Sequence, residues 1–493
     1  MDSPKEILDS KYILLSKIGS GGTAEVYLSQ DIKNNNISAT KIQNKEEEEG
    51  KEKKGNIFKA ESEILNSIKN ENIVNIIDYG EGSIENEKGE KGEKYPYLTL
   101  EYAEKGDLFN YIYFPKRGFN EDLGKIIFKE ILNGVKACHD NNIVHRDLKL
   151  ENILLTDEFK VKIADFGFAI KIKDNEKLKT ILGTPTYQAP EILLKKPYDG
   201  IKVDIFSLGV ILFILVTGIK PFENPFGKDK FYKFILKKQF AEYWKLIKNY
   251  NVDVDNLSND FKQLFIKMIL FNPSDRPSLD EIINSNWMKS DLSKSNEVLE
   301  EFKIRENLVT KNLKSTYGIS SSSVNKNRLR SKKKQKMNIN LNKIKKYFNE
   351  NINVPNAEKN KGYNQIYTIN IKNLSPFDFM NCLCHLILER IDSVEEIIPN
   401  KNYLRFNVVF KEIKEEEVKE DENNEEEIEG MNIEVVREKC NIQVNFYEDK
   451  IENKNIIVFK KINGDKFEFY DNVQKIKDII FNLLDSKLDF EYA

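Results

Sequence analysis

The chain has 493 residues, 40% hydrophobic and 11% aromatic, which is enough for two or three packed units and too long for one ordinary core. Lysine and arginine number 77 against 80 aspartate and glutamate, and the resulting net charge of −3 speaks against a general nucleic-acid binder. Cys138, Cys382, Cys384 and Cys440 form neither a CxxC pair nor a disulfide framework, so reduced thiols and a cytoplasmic location are expected.

The N-terminal stretch MDSPKEILDSKY lacks the apolar core of a secretory signal. Residues 12 to about 110 read as strands broken by turns, with one helical stretch near Phe58 to Ile68. Charged, glycine-bearing insertions at 45–55 and 81–94 are expected to be exposed loops. From Asn120 the apolar residues Leu123, Ile126, Ile127, Ile131 and Val135 recur at helical spacing, and helical patterns continue to Trp287. The longest apolar run, Val203 to Val216, is interrupted by Asp204 and Ser207 and is read as a buried helix, not a membrane span. Strands followed by helices suggest an α+β architecture, a small β-rich lobe on a larger α-rich one.

Residues 292–312 form an amphipathic pattern, and 313–340 read as a linker. Lys326 to Lys346 holds ten lysines and arginines and no acid. A second globular α+β unit is expected from Tyr363. Its signals are a strand at Ile366–Ile371, a helix at Pro376–Ile391 capped by Ser375, and strands at Tyr403–Phe410 and Asn441–Tyr447. Between the last two, residues 412–429 carry eleven acids and two lysines and are expected to be a disordered acidic loop. Ile456–Lys461 and Lys466–Tyr470 are expected to form a hairpin around Asn463-Gly464, before a closing helix at Asn472–Leu484. Cys382, Cys384 and His385 fall on one predicted helix and read as buried side chains, not as a metal site.

Several motifs carry chemistry. Gly19-Ser20-Gly21-Gly22-Thr23-Ala24-Glu25-Val26 lies between two strand patterns, where glycines let the backbone approach phosphate oxygens with no Cβ in the way. His145-Arg146-Asp147-Leu148-Lys149-Leu150-Glu151-Asn152 is followed, thirteen residues after Asn152, by Asp165-Phe166-Gly167. Then come Gly183-Thr184-Pro185-Thr186-Tyr187-Gln188-Ala189-Pro190-Glu191, Val203-Asp204-Ile205-Phe206-Ser207-Leu208-Gly209 and Asn272-Pro273-Ser274-Asp275-Arg276. In this order, over residues 12–288, they resemble the protein kinase family. Lys149 and the Gly183–Glu191 segment are most similar to serine/threonine kinases of the calmodulin-dependent and AMP-activated group. Ala24 stands where the family has a third glycine, and Phe206 where it usually has tryptophan.

The resemblance implies a bilobal kinase fold, ATP and Mg²⁺ as cofactors, and protein substrates. Gly19, Gly21, Gly22, Val26 and Ala39 would line the nucleotide, and backbone groups of Glu101 and Ala103 would meet the adenine, with Asp107 near the ribose. Lys41 would neutralise the phosphates, aimed by Glu61, with Glu63 as the competing carboxylate. Asp147 would accept the substrate hydroxyl proton, Lys149 would reach the γ-phosphate, and Asn152 and Asp165 would hold Mg²⁺. Thr184 would bond Asp147 and Lys149, Glu191 would pair with Arg276, and Asp204 would anchor the catalytic-loop backbone. Thr180 stands at the usual phosphorylation position for an upstream activating kinase, with Arg146 placed to pair with the phosphate. Glu151 and Asp107 would favour a basic residue upstream of the acceptor.

Residues 363–490 resemble the C-terminal kinase-associated domain of the microtubule-affinity-regulating kinases, chiefly through Ile456 to Phe469 and the final helix. Such domains bind acidic phospholipids or hold the kinase inactive, which would place the protein peripherally at membranes. Ser375-Pro376-Phe377-Asp378-Phe379 is also similar to the stretch by which plant calcium-sensor-regulated kinases bind their partner, so a protein partner stands as the alternative. The expected boundaries are 12–288 for the kinase domain, with lobes 12–103 and 104–288. A helix and basic flexible linker follow over 289–362, then the C-terminal domain at 363–490 with its acidic loop at 412–430. A scaffold with a vestigial kinase domain is the competing class, and the intact Lys41, Asp147, Asn152 and Asp165 speak against it.

Overall fold

The computed structural model describes residues 6–20, 24–44, 58–85, 90–226, 229–250, 252–289, 295–316, 365–369, 376–391, 394–399, 405–410, 442–449, 454–461 and 466–485. Its chain divides into two compact units. Residues 23–309 form the body of the first, and residues 310–413 with 436–493 the body of the second.

The first unit opens with a closed barrel of six strands in the order β1-β2-β3-β4-β6-β5. They are β1 Glu6–Leu8, β2 Tyr12–Ser20, β3 Ala24–Asp31, β4 Ile37–Gln43, β5 Ile76–Glu85 and β6 Lys91–Glu101. The three-residue β1, too short to show a period in the sequence, pairs with both β2 and β5 and closes the barrel. Side-chain alternation gives the barrel two uses. Leu8, Tyr12, Leu14, Ile42 and Tyr97 fill its core. Val26, Lys41 and Leu98 stand abreast across three strands, as do Leu28, Ala39 and Leu100, on the other face of the same sheet. Helix α1, Lys59–Ser67, lies between β4 and β5 in the chain and buries Glu61, Ile64 and Leu65 while leaving Glu63 exposed.

The α-rich part follows. It comprises β7 Gly106–Asp107, α2 Leu108–Tyr113, α3 Glu121–Asp140, β8 Ile143–Val144, β9 Ile153–Leu155, β10 Val161–Ile163 and β11 Ile170–Lys171. Helices α4 Pro190–Leu193, α5 Gly200–Thr217, α6 Tyr232–Leu236, α7 Phe240–Lys248, α8 Asn259–Met268, α9 Leu279–Ile283 and α10 Asn286–Lys289 complete it. Side chains of the types that favour capping fix the helix starts: Asp107, Asn120, Asp199 and Ser258 each accept a first-turn N–H. Helix α5 is long and apolar enough to cross a membrane, but 83% of it is buried inside the unit, packed on α3 and α8. Gly209 permits that packing, since a Cβ there would stand 2.9 Å from Met268 and Ile269.

A further helix, α11 Ser295–Thr316, lies where an amphipathic pattern is expected at 292–312, and its residues up to Val309 belong to the same unit. Phe302 stacks on Phe159 at 5.1 Å and meets Tyr111 and Phe119 edge-on or tilted. The guanidinium of Arg305, wholly buried, lies 3.7 Å over the Phe119 ring and donates to the carbonyls of Tyr111, Arg117 and Gly118 at 2.6–2.9 Å. Burial pulls its pKa down to about 10, and Glu301 at 2.7 Å opposes that shift, so it stays a cation at neutral pH.

Among the described residues, the second unit is a five-stranded antiparallel sheet in the order β12-β16-β15-β14-β13, with two helices. Its elements are β12 Gln365–Ile369, α12 Pro376–Arg390, β13 Val394–Pro399, β14 Arg405–Phe410, β15 Ile442–Asp449, β16 Lys454–Lys461 and α13 Lys466–Asp485. Helix α12 packs on α13 and β13, and Phe379, Leu383 and Ile387 are buried with Val473, Ile476, Phe406, Val444 and Phe459. One expectation is corrected here. Lys466–Tyr470 is not the second strand of a hairpin but the first turns of α13. Phe467, Tyr470, Val473, Ile476 and Ile480 are buried at helical spacing, so the final stripe begins earlier than Asn472. Asn463-Gly464, the basic run 326–346 and the acidic stretch 412–430 lie outside the described residues.

Replacing Arg305 by methionine would leave three buried carbonyls without a donor. The expected cost is about 3 kcal/mol or more, read as a lower urea midpoint. Ile304→Ser on the exposed side of the same helix should change stability by less than about 0.5 kcal/mol.

Candidate active site

The catalytic loop leaves β8 at His145 and is held by one carboxylate. Arg146 has a left-handed backbone, φ +66°, which costs of order 1–3 kcal/mol in a residue with a side chain. It persists because Asp204, fully buried on α5, accepts the N–H groups of His145 and Arg146 at 2.9 Å each. The same carboxylate meets His139 Nε2 at 2.9 Å. Burial pushes the Asp204 pKa up, but His139, His145 and the donated backbone N–H outweigh it and leave it below the usual carboxylate value. His145 in turn packs on Phe166 at 4.8 Å and reaches the Ala164 carbonyl at 3.1 Å, tying this loop to the segment that carries Asp165.

Asp147 projects from this loop into a ring of donors. Thr184 gives it both its N–H and its hydroxyl, each 3.0 Å from Oδ1. Lys149 Nζ bonds Oδ2, and Asn152 Nδ2 lies 3.3 Å from the same oxygen and 2.9 Å from the Asp147 carbonyl. Lys149 also bonds the Thr184 hydroxyl at 2.9 Å. Burial lowers the Lys149 pKa, but the carboxylates of Asp147, Glu151 and Asp165 reverse that and hold the amine protonated.

The second charge centre joins the barrel to the helical part. Lys41, on β4, bonds Glu61 Oε1 at 2.8 Å and Asp165 Oδ1 at 2.9 Å. Glu61, the partner of this lysine, is buried, whereas Glu63 on the same helix is exposed. Burial alone would lower the Lys41 pKa, but Asp165 and Glu61 raise it above its ordinary value. Asp165 stands at φ +63°, and the Lys41 cation holds its carboxyl down at about 2. Half of the Asp165 side chain is exposed, so an oxygen is open to the cleft. Asn152 uses its amide nitrogen on Asp147 and keeps its carbonyl oxygen. A carboxylate with an amide oxygen is a hard donor set of the kind Mg²⁺ takes together with phosphate oxygens.

The remaining expected residues fall as follows. Val26 is cross-strand partner to Lys41 and Ala39 to Leu100, on the face that carries Lys41. Glu101 directs its side chain to Asn75 and Lys162, and Ala103 is buried at the strand end. Asp107 caps α2 by accepting the Asn110 N–H at 3.1 Å. Gly19 is the last residue but one of β2, while Gly21 and Gly22 lie outside the described residues. Glu191 and Arg276 form a buried two-pronged pair at 2.7 Å. Phe206 lies 4.9 Å from that guanidinium, so the phenylalanine supplies the aromatic face expected of a larger ring there. Thr180 is exposed, with its carbonyl on the Tyr198 hydroxyl, and Arg146 Nε donates to the Phe168 carbonyl. Cys384 is buried on α12; the side chains of Cys382 and His385 lie outside the description. Sequence reasoning passed over His139 and Gln188. A polar residue among apolar neighbours was the only available signal for each.

A barrel-borne lysine fixed by a helix carboxylate, an open carboxylate beside it, and an aspartate flanked by a lysine define a domain for transferring phosphoryl groups from a nucleotide. The match to the protein kinase domain family runs over residues 12–288, more than half of the chain, and the chain belongs to that family. It is 32% identical to the DNA damage response protein kinase DUN1 of Saccharomyces cerevisiae over 326 residues, 61% of this chain and 60% of that protein. It is 32% identical to CBL-interacting serine/threonine-protein kinase 12 of Arabidopsis thaliana over 58% of this chain and 54% of that one. With the probable serine/threonine-protein kinase fhkC of Dictyostelium discoideum the identity is 34%, over 60% and 47%. The chain thus spans about half the length of the curated relatives it matches.

The Asp165 pKa is lowered in the folded state from 3.8 to about 2, so its contribution to stability is present above about pH 4 and is lost as pH falls through about 2. Asparagine tolerates the left-handed backbone at this position. The stability difference between wild type and Asp165→Asn should therefore shrink as urea unfolding is repeated from pH 5 down to pH 2.

Proposed function

We propose that the whole protein is a serine/threonine protein kinase that transfers the γ-phosphoryl group of Mg·ATP to hydroxyls of protein substrates. The observation that carries this reading is the closed set of bonds among Asp147, Lys149 and Thr184. Mg·ATP, when bound, supplies the activated phosphoryl group and the divalent charge that neutralises its oxygens. Lys41, held by Glu61, is placed to pair with phosphate oxygens. Asp165 and Asn152 would hold the metal through their oxygens. Asp147 orients the acceptor hydroxyl and receives its proton as the oxygen attacks, while Lys149 offsets charge at the same centre. These donors are fixed before substrate arrives, which is how such sites gain most of their rate.

Regulation belongs to the same proposal. Thr180 is exposed in the segment between Asp165 and Glu191, and Arg146 keeps its terminal guanidinium nitrogens near that segment through its bond to Phe168. A phosphate on Thr180, added by an upstream kinase, would find a cation there and order the segment. Residues 363–490 are read as a kinase-associated regulatory domain acting at anionic membrane from the cytoplasm. The ten basic residues between 326 and 346 support this, at about 1 kcal/mol each near such a surface. Binding of a regulatory protein is the second reading, favoured by the Ser375–Phe379 stretch and by the name of the Arabidopsis relative.

The test is phosphate transfer from Mg·ATP to a panel of serine- and threonine-containing peptides. Asp147→Asn is expected to lower kcat about 10²- to 10⁴-fold, and Thr180→Ala to abolish activation by phosphorylation. A phosphorylated wild-type chain that transfers nothing, even without residues 363–493, would overturn the enzyme reading. Residues 317–493 are expected to float with anionic liposomes in low salt and not in high salt; no salt-sensitive flotation would leave the protein-partner reading.

A further inference from the structure

We infer that Gln188 is a positioning residue of the phosphoryl-transfer reaction, which locks the Gly183–Thr184 peptide so that its N–H points at Asp147; the inference rests on the kinase reading above. Gln188 is 7% exposed, and its side-chain amide donates to two successive carbonyls, Leu182 at 2.9 Å and Gly183 at 3.1 Å. A buried amide of this kind has two hydrogens, and both are used.

The second carbonyl is the informative one. The Gly183 carbonyl and the Thr184 N–H belong to one planar trans peptide, so they point in opposite directions. Holding the oxygen on Gln188 therefore sets the direction of the N–H, and that N–H reaches Asp147 Oδ1 at 3.0 Å. The unit needs such a lock. Gly183 stands at φ +102°, and a Cβ there would lie 2.8 Å from the Arg146 carbonyl. The tight approach to the catalytic loop demands glycine, and glycine is the residue whose neighbouring peptides rotate most freely. The chain itself returns Gln188 to the spot. Pro185–Tyr187 is a single tight turn, with Tyr187 N–H on the Thr184 carbonyl and Gln188 N–H on that of Pro185. Ser207 on α5 holds the Tyr187 carbonyl at 2.8 Å, so the turn is anchored to the core helix.

Without the clamp, rotation of this peptide removes one of the two Thr184 bonds to Asp147 and leaves the carboxylate free to swing. Lys41 and Glu61, and the barrel residues that would line the nucleotide, lie outside this set of bonds.

The experiment uses the full-length chain as wild type, Gln188→Met and Gln188→Leu, with a peptide taken from the panel above. Both variants keep the bulk of the side chain and lose its donors. Expected are a kcat about 10- to 100-fold lower, as a small misplacement near a reacting centre produces, and a KM for ATP within about twofold of wild type. In protein labelled with ¹⁵N-threonine, the Thr184 amide proton should resonate far downfield in wild type, as carboxylate-bound amides do, and move upfield in both variants. Wild-type kcat, or an unmoved Thr184 resonance, would sink the inference. So would variants that fail to melt cooperatively near the wild-type temperature, since Gln188 would then be a structural residue only. If even the wild-type chain transfers no phosphate, the kinase reading fails, and the Thr184 resonance still decides whether the clamp exists.

Discussion

The Asp204 carboxylate sits in the second turn of α5, an almost wholly buried apolar helix, and the geometry of the loop that carries Asp147 hangs from it. A lone ionised carboxylate in such a place would be prohibitively costly. This one is tolerable because two backbone N–H groups and a histidine ring converge on it. The exchange works in both directions. The loop supplies donors that make the buried charge bearable, and the charge holds His145 and Arg146 in a backbone shape that Arg146 would not adopt freely. Asp147 follows Arg146 directly, so its direction is inherited from that anchor.

Buried charge is the recurring device of the first unit, and each instance joins elements distant in the chain. Lys41 reaches Glu61 and Asp165, 20 and 124 residues away. Glu191 and Arg276 are 85 residues apart, and Arg305 fastens the α11 layer to carbonyls 187–194 positions earlier. Ion pairs of this kind contribute little net stability relative to apolar packing, but breaking one is costly because a charge is stranded. Their use here is specificity: each permits one relative placement of the parts. Lys41 then does a second job. Its charge outweighs the burial that would favour the neutral acid and lowers the Asp165 pKa.

The second unit is built by different means. Its sheet and two helices enclose a core of Phe379, Leu383, Phe406, Val444, Phe459, Val473 and Ile476. Strand β13, on the sheet edge, was not legible because Glu395 and Glu396 and a register shift after Val394 break its alternation. Charges and irregularities on an edge strand discourage pairing with other chains, so the feature that hides the strand in the sequence is useful in the fold. The misread start of α13 has a similar origin. Lys466 to Tyr470 carries β-prone aromatics, and only their burial together with Val473 and Ile476 shows the helical period.

The sequence alone placed the first unit in its family. Its motifs, through their resemblance to that family, singled out Lys41, Asp147, Lys149, Asn152 and Asp165, because phosphoryl transfer constrains residue type at a few short, contiguous stretches. It also indicated that strands precede helices in that unit, since hydrophobic period is a local property. The tertiary structure alone decided which polar residues inside apolar stretches bear weight. Nothing local distinguishes Arg305 from the other charges of α11, or Gln188 from a loop residue, until the carbonyls they hold arrive from elsewhere in the chain. Hydrogen bonds to backbone carbonyls leave no mark of their partner in the sequence, because every residue type supplies the same carbonyl.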